Sequence, residues 1–350
     1  MSRSVVQCVD LTKRFGPHLA VDGVCLGAGK GELMTLLGPS GCGKTTTLRL
    51  IAGFESPDSG TIAIGDTTVA GPGVSVPPEK RRVGIVFQDY SLFPHLDVRA
   101  NVAYAKKRTR RGERSTDELL EMVGLNGMAD RMPYELSGGE QQRAALARSL
   151  AAQPDVVLLD EPFSNLDASL RARLRMDVRE VLRAAGATAI FVTHDIEEAL
   201  SISDRVAIMF EGRLVQTAEP EELYSRPASK RIARSLGDAN FIRGDGRGER
   251  VATEIGTLQV AQPVNGPVEV MLRPEWLSVT EDSDGAARVV DREFYGHDQI
   301  VKVRLESGME LRVRAWSPLN LAQGQRVAVQ ARESAITFDG NGLDSGTDAR

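Results

Sequence analysis

Apolar residues recur along the chain in two different periods, and the change between them suggests two domains. Up to about residue 237, short solid apolar runs alternate with helical spacing. Leu33-Met34-Thr35-Leu36-Leu37 reads as a buried parallel strand. Residues 45–52 then place Leu48, Ile51 and Ala52 on one helical face, with Gly53 as a C-terminal cap. Residues 4–34 predict short strands around a turn, and Thr61-Ile62-Ala63-Ile64 another strand between turn signals. Arg82-Val83-Gly84-Ile85-Val86-Phe87 predicts a further strand that ends at Gln88. Between about 90 and 150 helical periodicity takes over, as in residues 117–123, and an Ala/Leu-rich helix stops before Pro154. Val156-Val157-Leu158-Leu159 is a buried strand closed by Asp160 and Glu161. A turn at 164–167 leads to a basic amphipathic helix over 168–185. The strand Thr188-Ala189-Ile190-Phe191-Val192-Thr193 then ends at His194-Asp195.

Past Pro227 the period drops to two. Ile300-Val301-Lys302-Val303-Arg304-Leu305, a turn at 306–308 and Met309-Glu310-Leu311-Arg312-Val313 predict a hairpin with one apolar face. Further strands are expected over 268–279 and 326–338, giving a small β-barrel over 238–338. The Gly/Asp/Ser-rich residues 339–350 are expected to be disordered.

Length and composition agree with two domains and narrow the partners. The chain has 350 residues, a net charge of −5 and 5% aromatic residues. Duplex-coating proteins normally carry a basic excess, and single-strand binders stack bases on aromatic rings, so no nucleic-acid partner is expected. No apolar run approaches the roughly 18–20 residues that a membrane-spanning helix needs. The first residues lead straight into a strand-like stretch without a secretory pattern. Cys8, Cys25 and Cys42 form neither a CxxC pair nor a metal spacing, which fits a reducing cytoplasm. Any membrane contact would be from the surface.

The chemistry centres on Gly38-Pro39-Ser40-Gly41-Cys42-Gly43-Lys44-Thr45, which matches the phosphate-binding loop pattern between a strand and a helix. Glycines let backbone N–H groups turn around phosphate oxygens, and the helix points its positive end at the same anion. Lys44 adds a charge for the β- and γ-phosphates, and Thr45 can ligate Mg²⁺. Asp160 and Glu161 stand at a strand's carboxyl end, where one acid can hold Mg²⁺ and a second can orient or deprotonate water. Gln88 and His194 occupy equivalent strand ends, the usual site positions of an α/β sheet. Phe15 admits two readings, a core ring or a ring that stacks on adenine. Ser137 and Glu140 form a capping box, but the cap does not require Gly138-Gly139, which can expose N–H groups to another phosphate. The basic cluster 106–111 is read as a solvated loop, with a headgroup contact as the alternative.

Together these pieces resemble the ATP-binding subunit of an ABC transporter, an α/β P-loop NTPase with a helical subdomain, over residues 4–235. Residues 38–45 resemble Walker A, and Leu136-Ser137-Gly138-Gly139-Glu140-Gln141 the LSGGQ signature, with Glu140 where glutamine is more frequent. Residues 156–161 look like Walker B with the catalytic glutamate, Gln88 like the Q-loop, 164–167 with Asp167 like the D-loop, and His194 like the switch histidine. The resemblance implies ATP and Mg²⁺ as cofactors, with Phe15, residues 38–45, Thr46 and Gln88 on the nucleotide and Thr45, Gln88 and Asp160 on the metal. It implies Glu161, His194, Gln88 and Lys44 as the catalytic set. Two copies would sandwich two ATP molecules head to tail, with Ser137, Gly138, Gly139 and Glu140 meeting the nucleotide of the other copy. Residues 89–95 would dock two transmembrane permease subunits, indirectly served by a solute-binding protein, at the cytoplasmic face of the membrane.

Met271-Leu272-Arg273-Pro274-Glu275-Trp276-Leu277 resembles part of the OB-like TOBE domain of solute-importer ATPases. Overall resemblance leans to ferric iron and polyamine importers, with sulfate and sugar systems behind. ABC-type ATPases of DNA repair insert a long coiled coil between the two motifs. Here about ninety residues separate Thr45 from Leu136, without sustained heptads. Translation-associated relatives carry two cassettes where this chain shows one, and the intact Lys44, Asp160, Glu161 and His194 argue against a module that has lost hydrolysis.

Overall fold

A computed structural model describes residues 4–106, 114–164 and 168–338. Residues 107–111 of the basic cluster, Asp167 with the rest of 165–167, and the tail from residue 339 lie outside the described residues.

The long segments at the start are strands, β1 (Ser4–Phe15) and β2 (His18–Gly29), joined by a tight hairpin and bent by several bulges. Then follow β3 (Leu33–Leu37), α1 (Lys44–Ala52), β4 (Ser59–Ile64), β5 (Thr67–Gly71), β6 (Val74–Ser75) and β7 (Val83–Val86). The helical stretch contains α2 (Val98–Lys106), α3 (Thr116–Met122) and α4 (Gly138–Ala151). After it come β8 (Val156–Asp160), α5 (Ala168–Ala185), β9 (Thr188–Thr193), α6 (Ile196–Ile202), β10 (Arg205–Phe210), β11 (Arg213–Ala218) and α7 (Pro220–Ser225). Among the described residues no helix is long and apolar enough to cross a membrane.

One sheet has the order β11-β10-β3-β9-β8-β7, parallel except for β11 at its edge, and a second, antiparallel sheet runs β2-β1-β4-β5-β6. The solid apolar runs follow from burial of the parallel sheet on both faces. Val156, Leu158, Ile190 and Val192 join the core shared with α1 and the antiparallel sheet, while Val157, Leu159, Ala189 and Phe191 join the core under α2 to α5. Gly53 ends α1 in the left-handed conformation, as its position suggests. The buried Arg81 closes the same end, its Nη1 donating to the carbonyls of Leu50 (2.7 Å) and Ile51 (3.1 Å).

The chain divides into two compact units after Leu223, earlier than the expected boundary at 237. Arg273 supplies the reason. Its fully buried guanidinium donates to the carbonyls of Tyr224, Ala233, Gly237 and Asp238 and lies 4.1 Å from the Tyr224 ring centroid. Residues 224–238, including α8 (Lys230–Ser235), are thereby fixed to the second unit.

That unit is otherwise all-β, with β12 (Asn240–Thr253), β13 (Gly256–Leu272), β14 (Leu277–Glu281), β15 (Ala287–Phe294), β16 (Asp298–Leu305), β17 (Glu310–Trp316), β18 (Arg326–Ala331) and β19 (Ile336–Thr337). The expected hairpin is β16–β17, with Val301 opposite Val313 and Val303 opposite Leu311. The small β-barrel expected there takes the form of a three-stranded and a five-stranded sheet over one apolar core. The three-stranded sheet is mostly the long β12–β13 hairpin, with β19 added on β13.

Candidate active site

The loop between β3 and α1 is built to receive an anion. Gly43, the N-cap of α1, has φ 108°, and a Cβ there would sit 2.2 Å from the Ala20 carbonyl oxygen. Only glycine fits that combination. It supplies no side-chain acceptor, and the first turn of α1 carries no acid, so the orphan N–H groups and the positive helix end are left for a ligand. Lys44 is 4% exposed, and its Nζ donates to the carbonyls of Gly38 (2.7 Å) and Pro39 (2.9 Å), placing the ammonium inside the loop's curve. Pro39, Ser40 and Gly41 form its exposed rim, with Thr46 behind it in the first turn of α1. Cys42 is buried, its Sγ 3.9 Å from Lys44 Nζ, and burial pushes its thiol pKa up.

The parallel sheet carries three more groups to the same edge, at the carboxyl ends of β8, β9 and β7. Thr45 Oγ1 donates to Asp160 Oδ1 at 3.1 Å, tying α1 to the end of β8. Burial raises the Asp160 pKa, opposed by that hydrogen bond. Thr45 and Asp160 are hard oxygen donors suited to Mg²⁺, which commonly takes one or two carboxylates together with substrate phosphates. Glu161 sits next in line at φ 45°, an unfavourable conformation for a non-glycine residue, held by its N–H to the Val192 carbonyl and by Ser164 Oγ on its own carbonyl. Its Oε1 lies 3.1 Å from Nδ1 of His194, one strand over. A carboxylate and an imidazole are thus paired beside the phosphate loop.

Gln88 is exposed just past β7, and the backbone beyond it is strained, with Tyr90 at φ 60° and Ser91 at φ 43°. Arg148 of α4 holds that bend, donating to the carbonyls of Ser91 (2.7 Å) and Tyr90 (3.1 Å). Phe15 is 43% exposed at the β1–β2 turn, with Lys13 Nζ 5.2 Å from its ring centroid, which removes the reading of a core ring.

Ser137 caps α4 in a full capping box. The N–H and Oγ of Ser137 donate to Glu140 Oε2 at 2.7 and 2.8 Å, and these bonds hold the Glu140 carboxyl below its usual pKa range. Gly139 is buried against α5, where an added Cβ would meet Leu174 Cδ1 at 2.7 Å. One of the two glycines therefore has a packing reason, while Gly138 stays partly exposed at the helix start. The signature residues and Phe15 lie on elements apart from the strand-end cluster.

Residues that the sequence reading passed over surround His194. Asp195 caps α6, and Arg171 and Arg175 of α5 reach it. The signal was available: Arg171, Arg175, Arg179 and Arg183 recur every four residues, which places them along one helical face.

Comparison with known proteins shows the family. A family model described as ABC transporter matches residues 21–164, and a TOBE domain model matches residues 270–338. The chain is 45% identical over 335 residues to the Fe(3+) ions import ATP-binding protein FbpC 2 of Rhodococcus jostii, covering 93% of this chain and 96% of that protein. It is 42% identical over 329 residues to the spermidine/putrescine import ATP-binding protein PotA of Marinobacter nauticus, covering 89% and 87%. Among solved structures it is similar to the dimeric post-hydrolysis ATP-binding cassette MJ0796 bound to ADP and Pi. The TM-score is 0.53 at 30% identity, over 61% of this chain and 98% of that one.

Proposed function

The chain belongs to the ABC transporter family as an ATP-binding ATPase with a C-terminal TOBE domain, and from that premise we propose that it powers solute import as a head-to-tail pair of copies. The observation that carries the mechanism is the edge of the parallel sheet, where Lys44, Thr45, Asp160, Glu161 and His194 converge.

In this reading the N–H groups of α1 and the Lys44 ammonium bind the β- and γ-phosphates, and Phe15 lies flat on the adenine. Thr45, Asp160 and Gln88 would hold Mg²⁺, which neutralises phosphate charge when bound. Glu161 orients the attacking water and accepts its proton, and His194, kept beside Glu161 at 3.1 Å, contacts the γ-phosphate. Ser137 and Gly139 of the partner subunit complete the γ-phosphate contacts, with Gly138 and Glu140 beside them. Asp167 lines the contact between copies. The chemistry is positioning and electrostatics, with no covalent enzyme intermediate.

Two permease subunits dock beside residues 89–95, a placement supported by rings nearby, of which Phe54, Phe87 and Tyr104 are exposed and Phe93 is half-buried. Phe54 and Phe87 are 6.0 Å apart and Phe93 and Tyr104 are 4.5 Å apart. The assembly then sits at the cytoplasmic face of the membrane and receives solute from a binding protein. Ferric iron is the best-supported solute, because the FbpC likeness spans nearly the whole of both chains. A polyamine is the second reading, on the PotA likeness. Uptake of radiolabelled ferric iron and of spermidine in a deletion strain separates them. Loss of spermidine uptake with iron uptake intact would overturn the iron assignment.

A further inference from the structure

We propose that Asp195, gripped by Arg171 and Arg175 of α5, is a positioning clamp that sets the place of His194 against Glu161. The inference rests on the reading of His194 as the γ-phosphate contact.

Arg171 Nη1 donates to Asp195 Oδ2 at 3.2 Å, and Arg175 Nη1 lies 4.0 Å from Asp195 Oδ1, a charge contact without a hydrogen bond, so two guanidinium groups face one carboxylate. Arg175 also pairs with Glu197 of α6 at 3.3 Å, and Arg183 pairs with Asp204, just past the end of α6, at 2.8 Å. The residues on either side of His194 are bracketed in turn. Asp195 N–H donates to Thr193 Oγ1 at 3.0 Å, Thr193 Oγ1 donates to the buried Glu198 carboxylate at 2.6 Å, and Asp195 Oδ1 accepts the Glu198 N–H at 3.0 Å. The backbone of His194 has little freedom left, and its ring meets Glu161 at 3.1 Å.

Helix capping alone does not explain this arrangement. An asparagine caps as well as an aspartate, without a charge to desolvate. Burying Arg175, 9% exposed, beside a carboxylate has a desolvation cost that the pair need not recover in stability. What the charge adds is a fixed distance between α5 and the residue beside His194. The other flank of α5 is equally fixed, with Leu174 packed on Gly139 and Asp177 3.7 Å from Arg143 of α4. A single rigid helix therefore links the signature at the start of α4 to the switch histidine.

The test is Asp195→Asn in the full chain, which keeps the cap and removes the anion. Misplacement of a catalytic group by about 1 Å costs up to about a hundredfold, so kcat for ATP hydrolysis should fall about tenfold, with KM within about twofold. The chain has four histidines, so His194→Ala identifies the His194 imidazole signals by NMR. Those signals should move in Asp195→Asn. Arg171→Met should reproduce the pattern, Arg171→Lys should recover part of it, and both serve if Asp195→Asn does not fold. Wild-type kcat in the folded variants, or a fall in kcat with the His194 signals unmoved, would overturn the clamp. If His194→Ala hydrolyses ATP normally, the switch-histidine reading fails instead, and the NMR shift still decides whether the clamp positions the ring.

Discussion

Glu161→Gln removes one charge and one proton acceptor while leaving the surrounding geometry in place. The residue's backbone is fixed by its N–H to the Val192 carbonyl at 2.9 Å, and Ser164 N–H and Oγ both donate to its carbonyl. The amide has the same length as the carboxylate and keeps an oxygen at the position 3.1 Å from His194 Nδ1. Lys44, Thr45 and Asp160 are untouched, so ATP binding should persist. A positioned general base contributes about 10²–10⁴-fold, which corresponds to about 2.7–5.4 kcal/mol of barrier at about 1.36 kcal/mol per decade. The expected result is a fall in kcat of at least about a hundredfold with KM little changed, the pattern of an interaction made only in the transition state. With hydrolysis stalled and one negative charge removed near the γ-phosphate, the ATP-bound pair should also persist on gel filtration. Phosphate release and elution volume with and without MgATP measure both effects. Hydrolysis within about threefold of wild type would refute the role of Glu161. A loss expressed mainly in KM would show that the residue binds nucleotide and does not activate water.

Three further outcomes follow from the site. Phe15→Ala should weaken ATP binding by about three- to tenfold, the value of one aromatic stack, with kcat unchanged, and Phe15→Tyr should bind like wild type; equal nucleotide affinity in Phe15→Ala would remove the ring from the site. Alkylation of Cys42 should be slow at neutral pH, because burial raises its pKa and the thiolate is the reactive form, and should speed up as pH rises. MgATP should protect Cys42, and equal labelling with and without nucleotide, followed by mass spectrometry, would count against its place in the loop. Glu140→Gln keeps the capping box and removes a carboxylate 2.8 Å from Ser137 Oγ, so in the Glu161→Gln background it should tighten the ATP-dependent pair severalfold. A weaker pair by sedimentation would contradict that reading of Glu140.

The parts legible in the sequence were those where one local rule decides. Burial on both faces makes β3, β8 and β9 solid apolar runs, and Gly53 ends α1 because a left-handed cap is needed there. The strand-end positions of Gln88, Asp160 and His194 followed from where such runs stop. The missed features depend on contacts between residues distant in the chain. Nothing near Arg273 shows that its guanidinium will collect carbonyls from 224–238 and move the boundary of the second unit. The packing role of Gly139 was hidden in the same way, because Leu174, thirty-five positions on, is invisible from the motif. The arginine spacing on α5 was readable as one face, but its partners in and around α6 were not.

The two glycine-containing helix starts solve opposite problems, and the difference bears on how ATP is told from ADP. The start of α1 has no side-chain cap and no acid, so its donors are free for the phosphates of whichever nucleotide occupies the loop. At the start of α4 the donors of Ser137 are already engaged, because Ser137 gives both its N–H and its hydroxyl to Glu140. In the proposed pair, Ser137 reaches a γ-phosphate on the other copy only by releasing an ionised carboxylate, and the two anions repel if both stay close. A terminal phosphate in full contact with Lys44 can offset that exchange; a nucleotide that ends at the β-phosphate presents nothing at that distance. Closure then depends on the γ-phosphate itself. Its loss on hydrolysis would return Ser137 to Glu140 and open the pair, which is the cycle a membrane partner needs in order to be driven by ATP.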